Sequence, residues 1–160
     1  MAVTVGTDVN STVAETDTYH SARGNLAWAA QGTGDKEVNK RKAADWLERN
    51  FNWRGTRLTS DQRLGWPRDA AFDDDGYQIG ESAAPLVVQE AEAIIADVYR
   101  GGTVDLEGIV TNDTAATKFQ KVDVIEIEYD TGKRLQGQDI VSHVYKLLTH
   151  VTAQDKLLRA

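Results

Sequence analysis

The sequence predicts a mainly α protein, in which a small helical bundle carries a long ordered loop and one small β element. Apolar residues recur at helical spacing in four separate segments. Residues 52–81 lack this period but hold several large apolar side chains, and residues near 119–136 alternate between apolar and charged side chains. A chain of 160 residues can bury a core of its own, so we expect a single domain over 1–160.

The composition argues against several classes of protein. The chain has no cysteine, which excludes disulfides and thiolate chemistry. No apolar run approaches the ~18 residues that a membrane helix needs, and the first residues lack the basic start and apolar middle of a signal peptide. The net charge of −7 disfavours unspecific binding to duplex DNA, which usually rests on a basic surface.

The chain is predicted to begin with an extended arm over residues 1–11, because Ala-Val-Thr-Val favours a strand. The helical core, residues 12–102, starts at Thr12, which forms a capping-box pattern with Glu15. One helix should follow, with a stripe at helical spacing and Trp28 beside it. The members of the stripe are Tyr19, Ala22, Leu26 and Ala29.

A second amphipathic helix is predicted from Asp35, as its cap, to residue 51. Its apolar side comprises Val38, Ala43, Trp46, Leu47 and either Asn50 or Phe51. Its solvent side comprises Lys40, Arg41, Lys42 and Glu48.

Residues 52–81 form a long connection between helices. A structureless loop of this length is uncommon in a compact domain unless it is functional or held by its own side chains. We therefore expect it to be ordered and packed on the helices, with a short helix capped by Ser60. Its large apolar residues are Trp53, Leu58, Leu64, Trp66, Phe72, Tyr77 and Ile79.

The remaining elements are a third helix, a β element and a C-terminal helix. The third helix starts at Pro85 and ends at Gly101 and Gly102. Its apolar side comprises Leu86, Val87, Ala91, Ile94, Ile95 and Val98. The β element falls near 119–136, and a C-terminal helix and tail cover 139–160. The apolar residues of this last helix are Ile140, Val144, Leu147, Leu148 and Val151.

No catalytic or metal-binding motif is complete. The run Asp73–Gly76 resembles part of an EF-hand loop, but Ala71 and Ser82 stand where the loop needs an acid and a bidentate glutamate. The spacing of the histidines does not form a zinc motif, and we expect all three at the surface or its boundary. They are His20, His143 and His150. We expect no enzyme activity, no cofactor and no metal.

Residues 51–68 combine four arginines and two tryptophans with a single acid, Asp61. Exposed aromatic rings beside arginines are typical of surfaces for single-stranded nucleic acid, where rings stack on bases and guanidinium groups hold phosphates. In the other interpretation both tryptophans are buried anchors, and the arginines pair with acids of this chain or of a neighbouring subunit. Because tryptophan is highly buried on average, the second interpretation is favoured.

From about Thr12 to Tyr129 the chain resembles a family of tailed-phage proteins that are described as DnaT-like single-stranded DNA-binding proteins and are encoded among head-assembly genes. The resemblance rests on the order and spacing of short motifs. These are Ala14-Glu15, Tyr19, Ala22, Trp28, Ala43-Ala44, Leu47, Trp53-Arg54-Gly55, Gln62-Arg63-Leu64, Trp66-Pro67-Arg68, Asp75-Gly76, Ile79, Pro85, Ala91, Ala93 and Asp123–Tyr129. The run Asp73–Asp75 is more acidic than the pattern requires, and the segment after Tyr129 is only loosely alike.

The resemblance implies a head–tail adaptor. Such a subunit would form a ring, usually of twelve copies, beneath the portal in the neck of the virion, after assembly in the host cytoplasm. Its partners would be other copies of itself, the portal protein, a tail-side neck or tail protein, and duplex DNA that passes without specific binding; no membrane is involved.

Two sets of residues are candidates for these contacts. The loop residues that would pack or join subunits are Trp53, Arg54, Arg57, Gln62, Arg63, Trp66, Pro67, Arg68, Asp73, Asp74 and Asp75. The ends that would dock on neighbouring rings contain Val3, Val5, Leu147, Leu148, Leu157 and Leu158. The alternatives are a single-stranded DNA-binding module that uses residues 51–68, and an assembly chaperone that is absent from the finished particle.

Overall fold

The computed structural model describes residues 2–102, 106 and 135–153, and for 135–139 it gives the backbone alone. This part of the chain contains five helices and a two-stranded antiparallel sheet, which confirms the predicted fold class. The elements are α1 (Val13–Ala22), α2 (Leu26–Ala29), α3 (Thr33–Asn50), β1 (Thr56–Arg57), β2 (Arg68–Asp69), α4 (Leu86–Gly101) and α5 (Leu135–Leu148). Within the same residues, none of the helices is both long enough and apolar enough to span a bilayer.

The core lies between α3 and α4, and both α1 and α5 pack against α4. Its aromatic and aliphatic side chains interlock in one continuous cluster. The buried members include Trp28, Trp46, Leu47, Phe51, Trp53, Trp66, Val88, Ala91, Ile95, Val141, Val144, Leu148 and Val151. The long loop thus contributes two of its tryptophans to the same core as the helices.

The N-terminal segment does not form the extended arm predicted for residues 1–11. The amide of Gly6 donates to the carbonyl of Val9 at 2.8 Å, which folds residues 4–9 into a compact turn. Gly6 has a φ of 79°, a conformation that favours glycine. The chain then turns inward, so that Val9, Asn10 and Ser11 are buried.

The capping box of α1 is confirmed, because the Thr12 hydroxyl accepts from the Glu15 amide at 3.1 Å and the Thr12 amide donates to the Glu15 carboxylate at 2.7 Å. The prediction that one continuous helix runs from Thr12 past Ala29 is wrong. The helix ends at Ala22, and Asn25 caps the separate helix α2 by accepting from the Trp28 amide at 3.0 Å. The buried face is polar as well as aromatic and comprises Thr16, His20 and Trp28, whereas Leu26 is 81% exposed.

The second and third predicted helices exist, but their buried faces differ from the predictions. Gly32, not Asp35, is the N-cap of α3. Lys40, predicted on the solvent side, is fully buried, and Val38 is exposed. In α4, Pro85 is the N-cap and Gly102 the left-handed C-cap. Its most deeply buried residues are Val88, Ala91, Glu92, Ala93, Ile95 and Ala96, whereas Leu86 is exposed.

The small sheet lies inside the long loop, where Thr56 pairs with Asp69 and Arg57 with Arg68. The helix predicted at Ser60 is absent from this loop. Most of the β element predicted near 119–136 lies outside the described residues, and residues 135–136 belong to α5 instead. That helix starts four residues before the predicted position and ends at Leu148, with the tail beyond residue 153 outside the described part.

Candidate functional site: the arginine–tryptophan loop

The two tryptophans of the loop are anchors in the core. Trp53 is 7% exposed and Trp66 is 1% exposed. Their rings meet edge to face with 5.9 Å between centroids, and Phe51 stacks on Trp53 at 5.8 Å. The prediction that residues 52–81 are ordered and packed on the helices is therefore confirmed.

Two glycines make room for these rings. A Cβ atom at Gly80 would overlap the six-membered ring of Trp66, and a Cβ atom at Gly65 would overlap the five-membered ring of Trp53. Gly80 also has a φ of 68°, a conformation in which other residues are strained. Leu64 is fully buried beside them, while Leu58, Phe72 and Tyr77 point to solvent. The loop thus has a buried aromatic interior and an exposed apolar rim.

Arg68 holds the two halves of the loop together. Its guanidinium donates to the carbonyls of Arg54 at 2.6 Å, Gly55 at 2.6 Å and Gly65 at 3.1 Å. Partial burial lowers the pKa of Arg68, although the group stays charged at neutral pH. A planar fork of donors suits three converging carbonyls better than a lysine ammonium does.

Gln62 and Arg57 add bonds within the same loop. The Gln62 amide donates to the carbonyls of Leu64 at 2.8 Å and Pro67 at 2.9 Å, next to a cis Trp66–Pro67 peptide bond. Arg57 donates to the Gln62 carbonyl at 3.3 Å and is exposed. The side chains of Gln62 and Arg57 therefore both bond the backbone of the loop itself.

Arg54 connects the loop to the segment after α5. Its guanidinium donates to the Thr152 carbonyl at 2.9 Å and to the Asp74 carboxylate at 2.7 Å. His150 bonds the other carboxylate oxygen of Asp74, and hydrogen bonds from His150 and then Arg54 lower the pKa of Asp74. The Ala153 amide also donates to the carbonyl of Asn52 at 2.7 Å. The sequence had not suggested this junction.

The acidic turn is built by its own backbone. One carboxylate oxygen of Asp73 accepts from the amides of Asp75 at 3.0 Å and Tyr77 at 2.8 Å, which closes the turn. In the described residues no group of three or more potential metal ligands lies together. Asp73 therefore closes the turn, and Asp74 joins the turn to Arg54 and His150.

Arg63 faces outward and forms ion pairs with Asp8 at 3.3 Å and Asp45 at 2.8 Å. Each of the four arginines of residues 51–68 is therefore bonded within the chain. All four tryptophans of the chain are buried, so the rings of Trp53 and Trp66 cannot stack on bases in this conformation. Among the phenylalanine, tyrosine and tryptophan rings of the described residues, the most exposed are those of Phe72, Tyr77 and Tyr145.

A buried charged network was missed by the sequence analysis. The Lys40 ammonium lies 2.5 Å from Glu92 Oε1, 2.8 Å from the Ser11 hydroxyl and 2.7 Å from the Thr16 hydroxyl, and both charged side chains are fully buried. The backbone amide of Asn10 donates to Glu92 Oε2 at 2.6 Å. The available signal was Glu92 itself, which stands between Ala91 and Ala93 on the apolar stripe of α4.

Glu48 of α3 is an acidic residue that contacts the loop at Trp53. The indole Nε1 of Trp53 donates to Glu48 Oε1 at 3.2 Å. Burial raises the pKa of Glu48, against hydrogen bonds that lower it. Glu48 was predicted to be on the solvent side of its helix, whereas it supports the loop.

The predicted docking ends have different environments. Val5 is 44% exposed and Val3 is half-buried. Leu148 is fully buried and Leu147 packs against the core, so in this conformation Leu148 has no surface to offer a partner. Leu157 and Leu158 lie outside the described residues.

The fold and the loop define a small mainly α domain in which an arginine–tryptophan loop is bonded to itself and to the segment after α5. The chain belongs to the family described as "Putative DnaT-like ssDNA binding protein", whose model matches residues 2–160. The match extends beyond the motifs at Thr12 to Tyr129 and includes the segment after Tyr129. No curated protein and no solved structure matches the chain.

Proposed function

We propose that this chain is a structural assembly subunit that associates with copies of itself, in the form of the head–tail adaptor that the motif resemblance implies. The observation that carries the proposal is the closed state of the loop. Its tryptophans are core anchors, and its arginines are bonded to backbone carbonyls or to acids of the same chain. A loop fixed in this way offers a rigid, preorganised surface for protein contacts.

Exposed apolar side chains on the loop support the same proposal. Leu58 is 48% exposed, Phe72 is 47% exposed and Tyr77 is 72% exposed. Single exposed apolar residues are ordinary on any surface, but these three lie on a loop whose backbone is held in place. The net charge of −7 would keep a ring of such subunits from binding the DNA that passes through it.

Single-stranded DNA binding is the second candidate, and the family description favours it directly. The adaptor proposal has no such support from the family description and rests on the motif resemblance and the loop. If the chain binds single strands, the candidates for stacking among the described residues are the most exposed rings, Phe72, Tyr77 and Tyr145. The acidic turn next to Phe72 and Tyr77 opposes a phosphate backbone, since like charges repel.

Two measurements on the purified full chain separate these candidates. Light scattering over a range of concentrations gives the mass of the species in solution, and electron microscopy shows whether closed rings form. Fluorescence anisotropy with a labelled oligo-dT, repeated at low and high salt, gives any DNA affinity and its salt slope. We expect self-association, alone or with a portal ring, and no saturable DNA binding.

Saturable, salt-dependent binding of oligo-dT that is lost in Phe72→Ala/Tyr77→Ala would replace the adaptor proposal with the single-stranded DNA-binding one. The matched control is Leu58→Ala, which removes an exposed apolar side chain without a ring from the same loop. Mass spectrometry of purified phage particles, where a phage encodes the chain, distinguishes an adaptor from an assembly chaperone. An adaptor is present in several copies per particle, and a chaperone is absent.

A further inference from the structure

An open groove of about 380 Å³ lies between α1 and the start of α4, away from the arginine–tryptophan loop. Its walls come from the outward faces of the two helices, including Tyr19, Ala22 and Leu86. Leu86 is 68% exposed although it stands on an otherwise well-packed helix. Within the part of the chain that the structure describes, an apolar strip of the groove is therefore uncovered.

The groove is acidic at its edges. Glu15 and Glu90 both line it. Among the described lining residues the one cation is Arg23, whose guanidinium carbon lies 3.5 Å from the centre of the Tyr19 ring. The pair between Arg23 and Glu90 is long, at 3.8 Å, and Arg23 is half exposed, so Glu90 is only weakly neutralised. The groove, with an apolar strip and acidic edges, therefore suits a segment that combines leucine side chains with basic ones.

We propose that this groove binds residues 154–160 of a second copy of the chain. That segment reads Gln-Asp-Lys-Leu-Leu-Arg-Ala, so Leu157 and Leu158 are flanked by Lys156 and Arg159. The leucines would cover the strip at Leu86, and the basic side chains would lie against the acidic edges. The inference rests on the self-association proposed above and names one of its contacts.

The attachment point of the segment is fixed. The Ala153 amide is bonded to the Asn52 carbonyl, and Thr152 pairs with Trp53, so residue 154 leaves the chain from a defined place beside the loop. Seven extended residues reach about 23–25 Å, enough to cross to a neighbouring subunit. A contact from the tail of one copy to the groove of the next is heterologous, which is the kind of contact that closes rings.

The first experiment measures binding of a labelled peptide of residues 154–160, capped at both ends, to the full chain. The chain carries Leu157→Ser and Leu158→Ser, so that its own segment does not compete. We expect saturable binding, weakened at least about fivefold by Glu90→Arg in the same chain, because a reversed charge replaces attraction by repulsion. Leu86→Ser should also weaken it, whereas Glu81→Arg, an equal charge change at an exposed site outside the groove, should not.

Exchanging the charges of the peptide and the groove tests whether the two attract each other electrostatically. A peptide with Lys156→Glu and Arg159→Glu should bind the Glu90→Arg chain better than it binds the chain with Glu90. Circular dichroism confirms that each variant is folded. Absence of saturable peptide binding, or binding that is insensitive to both Glu90→Arg and Leu86→Ser, overturns the proposal.

Cysteine pairs identify whose segment fills the groove, since the chain has no native cysteine. Thr18→Cys places a thiol in the groove wall, and Leu158→Cys places one on the segment. Mixing the two single variants under mild oxidation should give covalent dimers, and Asp61→Cys in place of Thr18→Cys should not. If a chain carrying both substitutions closes only on itself, the second-copy assignment is overturned. If the wild-type chain forms rings and the peptide does not bind, this inference falls and the proposed function stands.

Discussion

At the scale of single residues, His20 shows how a polar side chain becomes part of a core. Its Nε2 lies 3.2 Å from the Ala93 carbonyl, its Nδ1 lies 3.3 Å from the Asn25 amide nitrogen, and its ring stacks on Trp28 at 4.6 Å. A neutral ring that donates from Nε2 and accepts at Nδ1 satisfies both contacts. Burial lowers the pKa of His20, so protonation opposes this arrangement.

This burial predicts a dependence of stability on pH. The His20 pKa lies below its ordinary value of 6.5 in the folded chain, so the unfolded chain binds the proton more readily. The free energy of unfolding is therefore at its full value above pH 6.5, and it falls as the pH drops from there toward the folded pKa. Urea titrations between about pH 7.5 and 5 measure this slope, which should be smaller in His20→Gln.

The matched control for His20 is His143→Gln, the same substitution at an exposed histidine on α5. Equal slopes in His20→Gln and the wild type would contradict the assignment of the pH dependence to His20.

Lys40 and Glu92 predict a large and non-additive effect of substitution. Both are fully buried, so Lys40→Met or Glu92→Gln leaves one charge without its partner inside the core. We expect each single variant to lose about 3–5 kcal/mol of unfolding free energy, and Lys40→Met/Glu92→Gln to lose less than the sum. Chemical denaturation measures all three, with the exposed Lys42→Met as the control. Additive losses would show that the pair does not act as a unit.

At the scale of elements, the sequence predicted what local rules determine. The capping box at Thr12, the C-cap at Gly102 and the positions of α3 and α4 follow from hydrogen-bonding patterns and residue conformations within a few neighbours. The break between α1 and α2 was missed, because the apolar spacing continued through Gly24 although the buried face was the one with Thr16 and His20. Periodicity identifies a helix more reliably than it identifies the face that tertiary contacts bury.

The loop shows that contacts between residues far apart in the sequence were not predictable from local patterns. The sequence predicted that its tryptophans anchor it, from their size and number, but not how. The packing of the Trp66 ring depends on Gly80, fourteen positions away. The closure of the loop depends on Arg68 reaching the carbonyls of Arg54 and Gly55, fourteen and thirteen positions away. The two short strands contain too few residues to show an alternating pattern. Such contacts arise from three-dimensional closure, which spacing along the chain does not encode.

The loop geometry predicts unequal effects for two arginines. Arg68→Lys loses most of the bonds that the planar guanidinium makes to backbone carbonyls, and we expect a loss of about 2 kcal/mol. Arg57→Lys loses one exposed bond and should cost less than about 0.5 kcal/mol. Hydrogen exchange of residues 54–69, measured together with denaturant unfolding, reports both. Equal effects of the two substitutions would rule out Arg68 as the residue that closes the loop.

At the scale of the whole molecule, both ends of the described chain are tied to the helical core. The segment after α5 is bonded to Asn52, Trp53 and Arg54 beyond the end of α3. The N-terminal segment is bonded to α4, where the Asn10 backbone amide and the Ser11 hydroxyl donate to Glu92. Residues 2–11 therefore do not form the extended arm that the sequence predicted for residues 1–11.

This difference predicts that two N-terminal deletions of similar length have unlike consequences. Deleting residues 2–8 removes the exposed turn and the pair between Asp8 and Arg63, and it leaves the Lys40–Glu92 network complete. Deleting residues 2–11 removes Asn10 and Ser11, which donate to Glu92, and opens the buried pair to a cavity or to water. We expect the shorter deletion to unfold near the wild-type denaturant midpoint and the longer one to lose several kcal/mol, as buried charges do when their partners are removed. Similar midpoints for the two deletions would mean that residues 9–11 contribute no more than the exposed turn, and the segment would then act as the free arm that a docking role requires.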